Sequence, residues 1–138
     1  MELVPHERSL VKQLSDKPFV LIGVNGDEDR EEAAASAKKR NVNWRSFWNG
    51  ENGAMGPIAI KWSVYYWPTT YLIDAEGIIR YKNIRGAELD AAITKLMAEA
   101  GHEVKLMDEE EMKAKKRKME EKEREMEKKE KEMEEKEE

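Results

Sequence analysis

Apolar residues recur at helical spacing near both ends of the first hundred residues and condense into short solid runs between them. Leu10, Val11 and Leu14 sit among polar neighbours, and Pro5 suits a first turn, so residues 6–15 predict a short helix. Ser15-Asp16-Lys17-Pro18 breaks it. Residues 19–24 (Phe-Val-Leu-Ile-Gly-Val) are a continuous apolar run, the pattern of a strand buried on both faces. Asn25-Gly26-Asp27 turns the chain, and Asp27 or Asp29 can cap a second helix. Glu28, Glu31 and Glu32 favour the positive end of that helix, which closes on Lys38-Lys39-Arg40-Asn41.

Residues 42–49 predict a short aromatic strand or extended segment. Gly50, Gly53 and Gly56-Pro57 mark a loop, and residues 58–62 a short helix with Pro57 at its start. Residues 71–73 predict a second core strand, and Asp74-Ala75-Glu76-Gly77 a turn with Gly77 at positive φ. Residues 78–84 then read as its antiparallel partner. Leu89, Ile93, Leu96 and Met97 form the apolar stripe of a closing helix that ends at Gly101. The order is that of an α/β domain with a mixed sheet flanked by helices.

Beyond this point the pattern changes. Residues 108–138 contain no apolar side chain except methionine and one alanine, and carry 15 acidic and 11 basic residues. The chain therefore divides into a domain over 1–101 and a charged Glu/Lys/Met helical tail over 102–138. Net charge is −5, and neither part has the basic excess that nucleic-acid phosphates demand. No run of about 18 apolar residues predicts a membrane span. The first residues have neither the basic nor the apolar region of a signal peptide, so the chain as it stands is expected to stay in the cytoplasm. That expectation changes if coding sequence continues upstream of Met1.

The chain has no cysteine. This removes disulfides, thiol chemistry and cysteine-ligated metals. His6 and His102 are the only histidines and lie in no clustered ligand set, so no metal or other cofactor is expected. Asn25-Gly26 is followed by no glycine-rich phosphate loop.

Trp67-Pro68-Thr69-Thr70-Tyr71-Leu72-Ile73-Asp74 before the Gly77 turn, within this order of elements, resembles the thioredoxin superfamily. The redoxin or TlpA-like thiol–disulfide reductase branch is the nearest likeness. Val4-Pro5-His6-Glu7-Arg8 and residues 19–27, 56–64, 77–83 and 89–98 complete it, so the resemblance covers about residues 1–100. It implies a cis proline at Pro68, with Trp67, Pro68 and Thr69 forming a loop whose backbone binds extended substrate. It also implies a Cys-x-x-Cys pair opening the first helix, with a proline five residues after the second cysteine. If Pro5 is that proline, the second cysteine belongs just before Met1. In the resembled fold a strand that precedes the pair lies mid-sheet, between the two core strands. The fold expected here is thus a truncated thioredoxin-like mixed sheet flanked by helices, plus a long charged C-terminal helix.

Without that strand, the two core strands either pair directly, leave an edge open to self-association, or receive a partner. The resemblance implies thiol–disulfide exchange, a reaction that this chain has no thiolate to perform. Three readings follow. The chain is a redox-inactive thioredoxin-like domain; or a protein-binding or scaffold module, engaging a protein or peptide at the cis-proline groove or the open sheet edge; or part of an active oxidoreductase whose motif, such as one with a selenocysteine codon, lies upstream. Family members are often exported.

Trp44, Phe47, Trp48, Trp62, Tyr65, Tyr66 and Trp67 crowd one region, either as a peptide groove or as core packing beneath the inserted loops. In the tail, Met112, Met119, Met126 and Met133 fall seven apart, but the positions three and four beyond each are charged. A coiled coil wants two apolar positions per heptad, so a solvated single helix is expected first, a weak coiled-coil seam second and disorder third. Glu111–Lys115, Glu120–Arg124, Glu125–Lys129, Glu127–Lys131 and Glu132–Lys136 offer i,i+4 ion pairs.

Overall fold

The computed structural model describes residues 3–137. These form two compact units, Met1–Val104 and Lys105–Glu138. The first begins with α1 (Leu3–Gln13) and continues through β1 (Ile22–Asn25), α2 (Arg30–Lys39) and β2 (Arg45–Trp48). A 3-10 turn (Gly53–Met55) leads into α3 (Pro57–Lys61), then β3 (Tyr71–Ile73), β4 (Ile79–Lys82) and α4 (Gly86–Glu99).

The expected strands are present but shorter than the apolar runs. Residues 19–21 join no ladder, and pairing with β2 begins at Ile22. The sheet is also divided. β1 and β2 pair in parallel, β3 and β4 pair antiparallel with an irregularity at Leu72/Ile73, and the two pairs are not hydrogen-bonded to each other. Direct pairing of the two core strands therefore does not occur.

Burial corrects the reading of residues 19–24 as buried on both faces. The buried apolar side chains among the described residues are Leu10, Leu14, Ala33, Ala59, Ala92, Ile93, Leu96 and Met97. All lie on helices or immediately beside one. Val20 and Ile22 are 76% and 59% exposed, and Ile73 is 42% exposed. Burial is thus concentrated on the helices, whereas the strands, each paired along one edge, keep apolar side chains exposed.

Local chemistry explains the element ends. Asp29 caps α2 by accepting from the N–H groups of Glu31 and Glu32 at 2.8 and 2.9 Å. Gly77, at φ +83°, supplies the left-handed residue of the β3–β4 turn, and Asp74 Oδ1 accepts there from the N–H groups of Glu76 and Ile78. His6 of α1 bonds Asp90 of α4 through Nε2 at 2.8 Å.

The second unit contains α5 (Glu109–Glu137). Asp108 and Glu111 form a reciprocal capping box: the Glu111 N–H donates to Asp108 Oδ1 at 2.8 Å, and the Asp108 N–H donates to Glu111 Oε2 at 3.0 Å. The expected Glu111–Lys115 pair is not formed among the described residues. The i,i+4 contacts formed among the described residues are Glu109–Lys113 at 3.1 Å, and Lys116–Glu120 and Lys128–Glu132 at 4.0 Å. Glu120–Arg124, Glu125–Lys129 and Glu127–Lys131 are not among them, and Glu132–Lys136 lies outside the described side chains. Met119, Met126 and Met133 are more than half exposed within this unit.

Candidate functional site

The segment between α3 and β3 carries the three residues singled out for substrate contact. The Trp67–Pro68 peptide bond is cis. Pro68 is exposed, Trp67 is 38% exposed and Thr69 is half-buried. The loop is braced on both sides. Trp67 Nε1 donates to the Ala54 carbonyl at 3.2 Å, and its ring lies against Gly26, where a Cβ would come within 3.4 Å of it. Thr69 Oγ1 donates to the Tyr66 carbonyl at 2.6 Å.

Asn83, just beyond β4, organises the far side. Its Oδ1 accepts from the Thr70 N–H at 3.0 Å, its N–H donates to the Thr70 carbonyl at 2.9 Å, and its Nδ2 donates to the Tyr66 hydroxyl at 3.0 Å. Asn83 holds φ at +58°, a conformation that asparagine tolerates better than most residues. In contrast, the backbone N–H of Thr69 and the carbonyls of Trp67, Pro68 and Thr69 make no hydrogen bond among the described residues. The braces therefore come from side chains and from Thr70, leaving the backbone of the proline turn able to meet another chain.

The surrounding aromatics are not a core. Tyr65 is 79% and Tyr66 58% exposed, with Phe47 and Trp62 also exposed and Trp44 and Trp48 half-buried. This corrects the alternative in which they pack beneath the inserted loops: none of the seven is buried. Their polar atoms and faces nevertheless have defined neighbours. Trp48 Nε1 donates to the Asp27 carbonyl at 2.8 Å, and Tyr71 OH donates to the Trp62 carbonyl at 2.9 Å. The Trp62 and Tyr71 rings are 5.8 Å apart, and Lys82 Nζ sits 5.5 Å from the Tyr71 ring centre and 6.0 Å from that of Tyr66.

Two asparagines with the most consequential contacts escaped the sequence reading. Besides Asn83, Asn49 is fully buried at the end of β2. Its Oδ1 accepts from the N–H groups of Ile58 and Ala59 at 3.0 and 3.1 Å, and its Nδ2 donates to the Gly53 carbonyl at 2.6 Å. It caps α3 from nine residues away, a separation at which a sequence shows no capping pattern. Gly56 is required beside it, since a Cβ there would collide with the Asn49 carbonyl.

Electrostatics anchor the β3–β4 hairpin to α4. Arg80 reaches Glu99 with both terminal nitrogens, at 2.7 and 3.2 Å, and Asp74 at 3.3 Å. The Ile78 N–H, with lesser help from the Glu76 N–H and Arg80, holds the Asp74 carboxyl below its usual range. The Arg80 hydrogen bonds do the same for Glu99, and the two carboxylates raise Arg80. Burial pushes the Glu7 carboxyl up, against the pull of His6. No group of three or more potential metal ligands gathers among the described residues.

No family profile matches the chain. The thiol:disulfide interchange protein DsbE of Escherichia coli is 33% identical over 78 residues, which are 56% of this chain and 40% of that protein. DsbE of Shigella flexneri matches to the same extent. The chain thus spans about two-fifths of the length of these curated relatives. Among solved structures, a thiol-disulfide oxidoreductase from Bacteroides fragilis superposes with TM-score 0.64 at 24% identity, covering 69% of each chain. The C-terminal domain of a protein assigned as a thiol-disulfide oxidoreductase from Bacteroides thetaiotaomicron gives 0.63 at 24%, covering 70% of this chain and 65% of that one. The chain has the thioredoxin-like fold, and the proteins it resembles are thiol–disulfide oxidoreductases.

Proposed function

We propose that this chain is a thioredoxin-like domain that holds extended polypeptide at the Trp67–Pro68–Thr69 loop and performs no disulfide exchange itself. The observation that carries this reading is a braced proline turn with free backbone groups in a chain without cysteine. Exchange needs a thiolate to attack a disulfide sulfur and a second sulfur to resolve the mixed disulfide. Methionine thioethers and the hydroxyls near Pro68 supply neither. Binding needs less: backbone donors and acceptors in a fixed line, with aromatic faces beside them. Tyr66 and Trp67 provide such faces.

Two measurements test the two halves. In insulin reduction by dithiothreitol, the chain should leave the reagent's own rate unchanged; catalysis above that blank defeats the redox-inactive half. Titration with an unfolded, cysteine-free polypeptide should shift the amide resonances of Trp67 and Thr69 and the indole resonance of Trp67. Shifts confined to other regions defeat the binding half.

A further inference from the structure

Asparagine precedes glycine at Asn25-Gly26, Asn49-Gly50 and Asn52-Gly53. Such pairs are chemically labile. The peptide nitrogen that follows asparagine can attack the side-chain amide carbon, and glycine has no Cβ to block the approach. In linear order the three pairs are alike; the fold separates them. Asn49 is fully buried, and its side chain is locked by bonds to Ile58, Ala59 and Gly53. At Asn52 the attacking nitrogen belongs to Gly53, which is buried and donates to the Gly50 carbonyl at 3.0 Å. At Asn25 neither obstacle exists. Asn25 and Gly26 are only half-buried, and the Gly26 N–H makes no hydrogen bond among the described residues. The Asp27 N–H donates to Asn25 Oδ1 at 2.7 Å, where it polarises the amide carbonyl and can stabilise the oxyanion that attack creates. Asp27 Oδ2 accepts at 3.0 Å from Asn25 Nδ2, the nitrogen that has to leave.

We propose that Asn25 is a site of spontaneous deamidation, and that its conversion loosens the turn on which Trp48 and Trp67 rest. The Gly26 nitrogen gives its proton to hydroxide and bonds to Asn25 Cγ. The Cγ–Nδ2 bond breaks, and the nitrogen leaves as ammonia with a proton returned from water. Water then adds to either carbonyl of the cyclic imide and opens it, giving aspartate or isoaspartate at position 25. Either product changes the site. Aspartate puts a carboxylate oxygen where an amide donor faces Asp27, so two like charges meet in place of a hydrogen bond. Isoaspartate routes the main chain through Cβ and Cγ, and the Asn25 carbonyl that accepts from the Asn49 N–H becomes part of a free carboxylate. Asp27 also offers its carbonyl to Trp48 Nε1 at 2.8 Å, and Gly26 lies against the Trp67 ring. The inference depends on this turn alone and does not rest on what the proline loop binds.

The test keeps the full chain folded in mildly alkaline buffer made with heavy-oxygen water, then digests it with trypsin in ordinary water for mass mapping. Cleavage places Asn25 in a peptide of residues 13–30, and Asn49 and Asn52 together in residues 46–61. The first peptide should take up solvent oxygen at least tenfold faster than the second, as a mixture of aspartate and isoaspartate. In guanidinium chloride, which removes the fold, the three sites should convert at similar rates. Gly26→Ala, whose methyl group would make only ordinary contact with the Trp67 ring, should slow the folded reaction at least tenfold. The Trp48 indole N–H of the converted chain should exchange at least tenfold faster than before conversion. Equal conversion of the two peptides in the folded chain overturns the proposal, and so does a preference for Asn25 that persists in guanidinium chloride. Aspartate without isoaspartate, or indifference to Gly26→Ala, means direct hydrolysis and overturns it as well. Unchanged Trp48 indole exchange would leave the turn intact after conversion and defeats the proposed consequence.

Discussion

Asn83 and Thr70 are joined twice: the Thr70 N–H donates to the Asn83 side chain at 3.0 Å, and the Asn83 N–H donates to the Thr70 carbonyl at 2.9 Å. With the Asn83 bond to Tyr66, this fixes where the Trp67–Pro68–Thr69 turn meets β3. Asn83→Ala removes the side-chain bonds and strains a left-handed backbone. A loss of about 1–3 kcal/mol is expected, at roughly 1 kcal/mol for each net hydrogen bond lost, measured by urea unfolding. Asn83→Asp keeps the acceptor for Thr70 and should retain slow Thr70 amide exchange, with the Tyr66 hydroxyl donating to the new carboxylate oxygen in place of accepting from Nδ2. If both variants release the Thr70 amide equally, Asn83 acts through its backbone and not its side chain.

Asn49 should be the costliest single polar position. Asn49→Ala leaves the Ile58 and Ala59 N–H groups and the Gly53 carbonyl without their partner. Unsatisfied buried groups cost about 1–3 kcal/mol each, so a loss of at least 2 kcal/mol is expected in denaturant unfolding. Asn49→Asp keeps the acceptor but puts a second oxygen opposite the Gly53 carbonyl, and should also destabilise at neutral pH. A change below about 0.5 kcal/mol, roughly half of a typical net hydrogen bond, in Asn49→Ala would remove this residue from the account of α3.

Asp74 and Glu99 both have folded-state pKa values below their ordinary values of 3.8 and 4.5. Their contribution is therefore present above those values and is lost as pH falls through the lower folded-state ones. Acid titration of stability should show a decline beginning near pH 4.5 that is shallower in the Asp74→Asn, Glu99→Gln double variant. Glu7 runs the other way. Its raised pKa makes its ionisation unfavourable to folding, so stability falls as pH rises from its ordinary value of 4.5 through the raised one. Glu7→Gln should remove that component and leave the acid decline intact.

For the tail, the Asp108–Glu111 capping box should matter more than any one ion pair. In a peptide of residues 108–138, Asp108→Ala should lower helicity more than Lys113→Ala does, since a cap is worth about 0.5–2 kcal/mol and an i,i+4 pair about 0.2–0.5. Helicity should fall as salt rises and stay constant with peptide concentration. Concentration-dependent melting would show that Met112, Met119, Met126 and Met133 drive association.

Local spacing was enough to locate nearly every element. Asp29 before Glu31 and Glu32, Pro57 at the start of a helix, Gly77 in a turn and the Leu89–Ile93–Leu96–Met97 stripe each act within one or two turns of chain, so their meaning survives without tertiary context. The same holds for the absence of sulfur nucleophiles, which is a matter of composition. Expectations that required a partner at a distance fared differently. The apolar run at residues 19–24 implies burial, yet whether a strand is buried depends on its neighbour across the sheet, and β1 has one on a single edge. The aromatic cluster read more readily as core packing than as an exposed groove, yet none of its rings is buried, because ring hydrophobicity is the same in both settings until packing assigns exposure. In sequence, Asn49 merely closed the extended segment 42–49 and Asn83 lay inside the strand expected over 78–84; only folding brought Asn49 to the amides of α3 and Asn83 to Thr70, since a hydrogen bond is decided by distances of about 3 Å that the linear order does not contain.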